Sequence, residues 1–422
     1  MRFSPIVVFY ALLMSLLVSA CSDDVSVPPG DDTPLIEAGE EAQRLLLMYI
    51  AADNNLDSYA QLDLYEALQA AHKVPNDCYM LAFVDDGNNG RILRYFNNKG
   101  VGDYETVYNF GREVAACDTA EMRVLFDWVE QNYPAKRVDM IFWSHATGWL
   151  HDDRRPVRQR SFGYDTAPGE ESDCRRMYIE ELAGFFKKRN IKLDRLMFDA
   201  CFMQCAEVAY ALRDCANWII ASPAEIPGYG APYDIVVPLF FDATASPQSI
   251  IDAYKAGYED ENTGVVLSAV RCAAMEQFAD ATAVAVKRAL LDVSGSDCRD
   301  VFSYLPGGYF GSNGSFPNFF DMNSVMKKYL ANTDYQLWKS ALDAALPYRC
   351  ASREWYSEVL DLDRNITEED YINVADTWCG ISMYVPNADS RFEKFNAAFA
   401  KLEYSKERKR SMFNSFAWWH HK

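Results

Sequence analysis

The stretch Leu193–Glu207, LDRLMFDACFMQCAE, carries an apolar run that stops at an acidic residue, a small residue and then a cysteine, Cys201. A run of this kind ending in a polar turn has the pattern of a buried parallel strand, and Met203–Leu212 after it has the pattern of a helix. Cys201 therefore falls at the carboxyl end of a strand, where open α/β sheets gather their chemistry. A second such run, Val138-Asp139-Met140-Ile141-Phe142-Trp143, ends in Ser144-His145-Ala146-Thr147-Gly148-Trp149. A histidine and a cysteine, each at a strand tip and in that order, form a candidate base and nucleophile. The 56 positions that separate them leave room for one crossover and one further element.

Working outward, apolar runs and helical periods alternate from Arg44 to Ala221. Arg44–Ala51 reads as a strand, and the polar turn Asp53–Asp57 caps a helix running to Ala71. Cys78–Val84 is a second strand, Ile92–Tyr95 and Glu105–Tyr108 a hairpin or extended edge, and Thr119–Asn132 and Met177–Lys188 are helices. Alternation of this kind predicts an α/β fold with a largely parallel sheet flanked by helices. Past Tyr233 helices dominate, at 246–258, 275–291, 322–327 and 334–345. Val265–Val270 and Gly380–Val385 are expected to return to the sheet, so this part packs on the core. The division expected is a signal peptide at 1–20, a tether at 21–43, a catalytic core at 44–260 and a helix-rich part at 261–422. Phe413, Phe416, Trp418 and Trp419 in the tail read as packing residues, since no sustained apolar face accompanies them.

Met1-Arg2, the apolar run Ile6–Val18 and Ser19-Ala20-Cys21 form a signal peptide, too short to span a membrane. Val18–Cys21 resembles a bacterial lipobox, which implies cleavage before Cys21 and a lipid anchor on its thiol; a plain secretory signal beside a chance cysteine is the other reading. Ser22-Asp23-Asp24 after it resembles outer-membrane and surface-export signals, and the acidic, proline-bearing segment to Gln43 reads as a tether. The net charge of −20 argues against nucleic acid, whose phosphates call for Lys and Arg clusters. It suits basic substrates, and equally serves solubility at a cell surface. Of the 11 cysteines, nine remain once Cys21 and Cys201 are set aside, an odd number with no zinc spacing among them, and they read as reduced core residues.

His145 in FWSHATGW, Cys201 in FDACFMQCAEVAY, the opening MYIAADNNLD, ASPAEIPGYGAPYD at Ala221–Asp234 and GISMYVP at Gly380–Pro386 together resemble the clostripain family of cysteine peptidases, with its caspase-like fold. The resemblance implies an endopeptidase in which Cys201 attacks as thiolate and His145 moves the proton. A helix N-terminus beside Cys201 would favour that thiolate. The oxyanion hole would use the N–H groups of Cys201 and Ala146, although the family's usual residue after the histidine is Gly, and a position needing φ > 0 would penalise Ala146. Asp199 corresponds to the family's acid at the base of the pocket for the residue before the cut, which implies cleavage after Arg or Lys; by residue type alone it also fits a helix cap. Asp85 and Asp86 are candidates for the same cleft, or for a turn.

Arg154, Arg155, Arg158 and Arg160 lie between His145 and Cys201, where family members resemble zymogens that cut themselves after a basic residue; a solvated basic loop is the alternative. Gly228, Gly230 and Pro232 are expected to form a substrate rim. The sequence shows no EF-hand loop and no run of closely spaced carboxylates, so neither a cofactor nor a metal ligand is assigned, calcium dependence being known in part of the family. Protein or peptide substrates and the outer membrane, through the anchor, are the expected partners. Two rivals stay open: a catalytically weak surface lipoprotein that binds peptides through the same cleft, and a thiol hydrolase of non-peptide amides.

Overall fold

The computed structural model describes residues 34–149, 162–165, 175–258, 264–289, 298, 300–305, 319–356, 371–373 and 376–385. All belong to one compact unit running from Thr33 to Lys422. Its centre is a nine-stranded sheet. Five strands are parallel: β1 (Arg44–Ala51), β2 (Cys78–Asp85), β5 (Val138–Trp143), β8 (Leu193–Asp199) and β9 (Ala216–Ala221), in the spatial order β9-β8-β5-β1-β2. The hairpin β3 (Arg91–Asn98) and β4 (Val101–Asn109) extends one edge antiparallel, and β10 (Val266–Arg271) with β12 (Tyr348–Ala351) extends the other.

The five central strands are apolar on both faces because helices cover both. Along β1, Leu45, Leu47 and Tyr49 enter one core while Leu46, Met48 and Ile50 enter the other, the two-residue alternation of an extended chain. The first core takes α2 (Thr119–Asn132) and α3 (Ile179–Arg189); the second takes α1 (Asp57–Ala70), α5 (Tyr233–Phe241) and α6 (Pro247–Ala256). Local signals set the helix ends. Asp118 caps α2 by accepting from the Ala120 N–H at 2.8 Å, and Asn190 ends α3 in the left-handed region at φ 54°. At the amino end of the sheet the buried Asp139 accepts two bonds from the Arg195 guanidinium, at 2.9 and 2.8 Å, and one from Arg44.

Helices α7 (Met275–Ala289), α8 (Met322–Tyr329) and α9 (Asn332–Ala345) contribute buried residues to the first core, and Trp338 of α9 donates to Thr282 of α7 at 2.9 Å. Gly380–Val385 behaves differently. Only Ser382–Met383 is a strand, and it pairs with Phe320–Asp321 in a separate two-stranded sheet instead of joining the main one. Its buried apolar side chains pack beside the Cys205 segment, so a β-type pattern was satisfied by a local partner. The tail beyond 385, with Phe413 to Trp419, lies outside the described residues, as do the expected signal peptide and most of the tether.

Candidate active site

In the parallel pair β5/β8, Trp143 lies opposite Asp199. His145 and Cys201 each come two residues after that pair, so they leave the sheet at adjoining tips, with neighbouring strands about 4.8 Å apart. The β5 tip is tied inward by Ser144, whose Oγ donates to the Ala51 carbonyl at 2.7 Å. His145 Nε2 lies 2.8 Å from Oδ1 of Asn55. An amide oxygen only accepts, so this contact suits the ring tautomer protonated at Nε2. Asn55 is itself held in a fixed turn: Asn54 Nδ2 donates to the Ala51 carbonyl at 3.1 Å and Asn54 Oδ1 accepts from the Leu56 N–H at 2.9 Å.

Cys201 is half-buried, and its Sγ accepts from the Ile226 N–H at 3.4 Å. The helix after it begins later than its apolar pattern indicates. α4 covers Ala206–Ala211, so its N-terminus is five residues from Cys201 and does not act directly on the thiol. Phe202 causes the delay. It takes φ 62°, is fully buried and stacks on Phe319 at 4.5 Å, while Phe202 and Gln204 donate their N–H groups to Ala224 and Ser222. The chain stays extended beside the end of β9 before it can turn helical.

Ala146 pairs with Phe162 of β6 (Phe162–Asp165) in an isolated antiparallel bridge whose hydrogen bond runs from Gly163 N–H to the His145 carbonyl at 2.9 Å. That bond does not use the Ala146 N–H. Positive φ among the described non-glycine residues occurs at Lys99, Asn190 and Phe202, so Ala146 bears no left-handed strain and the absence of Gly after the histidine carries no conformational cost.

Asp199 is buried at 4% exposure, and its carboxylate is held by three neutral donors: Ala231 N–H and Tyr233 OH to Oδ2, Tyr254 OH to Oδ1, each at 2.8 Å. Beside it lies Asp63 of α1, 1% exposed, which accepts from Trp143 Nε1 at 2.6 Å. Burial raises the pKa of Asp63 first, and the charges of Asp199 and Glu66 raise it further. Burial raises Asp199 as well, but its three donors oppose the shift. With three donors on Asp199 against one on Asp63, Asp199 is the better seat for a negative charge. A Cβ at Gly230 would stand 2.8 Å from Asp199 Oδ2 and 2.9 Å from Asp63 Oδ2, and φ there is 62°, so this close approach of the rim loop needs glycine.

Asp86 is held bidentately by Arg91 at 2.9 and 2.8 Å. Asp85 is fully buried. Neither of its oxygens has a hydrogen-bond partner of ordinary geometry, although the Ala116 N–H is near enough to be felt. Burial, then the charges of Asp165, Glu113 and Asp53, push it up to about 9. Turn chemistry accounts for Asp86, while Asp85 belongs to a carboxylate cluster that the sequence did not reveal. Asn55 and Asp63 were missed as well. Asp63 carries a signal, an acid on the buried Ala60-Leu64-Ala67 stripe of α1. Cys21 and Arg154, Arg155, Arg158 and Arg160 lie outside the described residues.

A largely parallel sheet that brings a cysteine and a histidine out at adjoining strand tips defines a protein of the caspase-like cysteine peptidase class. The chain belongs to the clostripain family, whose model matches residues 48–419. Clostripain of Hathewaya histolytica is 25% identical over 221 residues, which take in 46% of this chain and 41% of that protein, so the match spans less than half of clostripain's length. A secreted C11 cysteine protease from Bacteroides thetaiotaomicron, solved with an irreversible peptide inhibitor, matches with a TM-score of 0.72 at 24% identity, over 89% of this chain and 99% of its own. An inactive zymogen C11 protease from Parabacteroides distasonis matches with a TM-score of 0.71 at 22% identity, over 87% and 98%. These two likenesses establish the fold.

Proposed function

We propose that the protein is a cysteine endopeptidase that cleaves after Arg or Lys, with Cys201 as nucleophile and His145 as acid and base. The observation that carries the reading is the β5/β8 register, with both residues two positions past the Trp143 and Asp199 pair. His145 Nδ1 takes the Cys201 proton and sulfur attacks the scissile carbonyl carbon. The N–H groups of Cys201 and Ala146 receive the oxyanion; such donors contribute roughly 10²- to 10³-fold each. The C–N bond breaks as His145 returns the proton to the leaving amine, and water, deprotonated by the same nitrogen, releases the acyl group from sulfur.

The basic preference rests on Asp199. No ion pair reaches it among the described residues, and Oδ1 accepts only from Tyr254, so a guanidinium or ammonium would supply the missing counter-charge. The same reading extends to self-cleavage at Arg154, Arg155, Arg158 or Arg160, and to anchoring of the protein at the outer membrane or cell surface through acylated Cys21.

Fluorogenic peptides ending in Arg, Lys, Ala or Asp test the assignment on the purified protein. The reading expects turnover of the Arg and Lys peptides alone, with new N-termini in the 155–161 segment if the chain matures itself. Cleavage independent of the basic residue would overturn the specificity. Metabolic labelling with a fatty-acid analogue tests the anchor; a wild-type protein that stays unlabelled contradicts it.

A further inference from the structure

Tyr229 is 59% exposed, yet the backbone on both sides of it is fixed. It stands at the third position of a turn, Pro227–Gly230, closed by the Gly230 N–H donating to the Pro227 carbonyl at 3.0 Å. Upstream, the Ile226 N–H is given to Cys201 Sγ at 3.4 Å. Downstream, Tyr258 OH donates to the Gly230 carbonyl at 2.5 Å, and Gly230 itself runs close against Asp199 and Asp63. The five residues from Ile226 to Gly230 thus lead from the candidate nucleophile to the floor of the candidate pocket. Tyr229 is the exposed one among them.

The Tyr229 ring has an aromatic neighbour on α1. Tyr59 meets it edge to face, with ring centroids 5.3 Å apart and planes at 89°. Gly228 permits the approach: a Cβ there would stand 3.1, 3.2 and 3.4 Å from three carbons of the Tyr59 ring, so the turn lies directly on that ring. Tyr59 and Ile226 are each half-buried against the second core, with the rest of the side chain open. Four residues before Tyr59 is Asn55, whose Oδ1 meets His145 Nε2 at 2.8 Å. Ile226, Tyr59 and Tyr229 therefore line an apolar rim tied to both Cys201 and the partner of His145.

An exposed aromatic ring on a pre-ordered turn loses little freedom when a ligand packs on it, the behaviour of a recognition residue. The occupant that the surroundings supply is the substrate. A peptide whose basic side chain reaches Asp199 presents its scissile carbonyl to Cys201. In an extended chain the preceding residue lies about 3.8 Å further along, with its side chain on the opposite face, outside the acidic pocket. Three residues separate Tyr229 from Ile226, at most about 11 Å between their Cα atoms, so the ring stands within reach of that side chain.

We propose that Tyr59 and Tyr229 form the subsite for the substrate residue immediately before the Arg or Lys, and that it takes a large apolar or aromatic side chain such as Leu or Phe. The inference rests on the cleft proposed above for the placing of the peptide, and it names a preference that the acidic pocket does not set. Tyr229 makes the contact, and Tyr59 shares it while bracing the turn.

Two measurements test it, one of them without turnover. Peptides of the form acetyl-Ala-Xaa-Arg with a coumarin leaving group, Xaa being Phe, Leu, Ala or Glu, should be cleaved with kcat/KM about 10-fold higher for Phe and Leu than for Ala, the lower end of what an apolar subsite discriminates. Tyr229→Ala should bring the Phe-to-Ala ratio close to one, and Tyr229→Phe should keep it, since the ring makes the contact. The ring is exposed at the tip of a turn, so the Tm of Tyr229→Ala should stay within about 2 °C of the parent. Titration calorimetry of acetyl-Ala-Phe-Arg-amide and acetyl-Ala-Ala-Arg-amide into Cys201→Ala repeats the comparison as Kd. A protein indifferent to Xaa in both measurements, or a ratio unchanged in both Tyr229→Ala and Tyr59→Ala, overturns the subsite. So does a preference that appears only when the residue two before the Arg is varied. Tighter binding of the Phe peptide whatever stands in place of Arg would leave the subsite standing and contradict the role of Asp199. Tighter binding of the Phe peptide by a protein that cuts nothing would leave it standing and contradict the peptidase reading.

Discussion

Asp199→Asn removes one charge from the floor of the candidate pocket while leaving its hydrogen bonds almost whole. Asn has one acceptor oxygen and one NH₂ group. The oxygen can face Ala231 N–H and Tyr233 OH, the two donors that now share Oδ2, and the NH₂ can face Tyr254, whose hydroxyl rotates to accept. The Tyr254 hydroxyl hydrogen and the second amide hydrogen lose an acceptor, a cost of roughly 1–3 kcal/mol that relief of a buried charge offsets, so the net change in stability should be small. An incoming guanidinium, by contrast, loses its counter-charge in a desolvated site, a loss of roughly 2–5 kcal/mol, or about 30- to 5,000-fold in kcat/KM. The assay is a pair of peptides differing only by Arg or citrulline before the cut. The parent enzyme should prefer Arg strongly, and the variant should lose that preference while its Tm and its alkylation at Cys201 hold. Asp63, relieved of its neighbour, ionises more readily, which moves the effect toward the lower bound and makes the Asp63→Asn, Asp199→Asn double variant the more severe. A single variant that still prefers Arg over citrulline to the parent's degree, together with an unchanged double variant, refutes the argument.

Asn55→Ala should lower kcat about 2- to 10-fold with KM little changed, since it deletes one hydrogen bond of roughly 0.5–1.5 kcal/mol that sets the ring, whereas His145→Ala should cost at least ~10²; equal loss in both would show that Asn55 does more than orient. Glu207, buried and accepting from Tyr384 N–H, is pushed up to about 7 by burial. A raised carboxyl pKa contributes stability that is complete below about 4.5 and is lost as pH rises to about 7, here about 3 kcal/mol. Denaturant titrations of Glu207→Gln should therefore show a flatter dependence than the parent between pH 4.5 and 7, and parallel curves would contradict the assignment.

The strands were legible because burial on both faces leaves uninterrupted apolar runs, and Leu193–Asp199 and Val138–Trp143 fall where those runs indicated. So were most helices, whose caps are local: Asp118 and Ser246 announce α2 and α6. What escaped depends on contacts remote in sequence. Nothing between Met203 and Leu212 reveals that Phe202 must turn left-handed to reach Phe319, which delays α4 to Ala206. Asn55 lay within the polar turn read as a helix cap, and its meeting with His145 spans 90 positions. The acidic cluster is gathered from segments as distant as Asp53 and Asp165, so no run of acidic residues betrays it. Asp199 was legible as an acid two residues before Cys201, but its three donors and its partner Asp63 arise only when α1, α5, α6 and the Gly230 loop close around it.

The central claim is that Cys201 is the nucleophile of a peptidase, and covalent capture tests it most directly. Incubation of the purified protein with a peptidyl acyloxymethyl ketone ending in Arg, followed by intact mass and peptide mapping, should show a single adduct on the Cys201 sulfur, slowed in His145→Ala and abolished in Cys201→Ala. Eight further cysteines among the described residues serve as internal controls; six of them have thiols raised above the usual range by burial, so they should stay unmodified. An adduct on another residue, or peptide cleavage that survives in Cys201→Ala, would contradict the account.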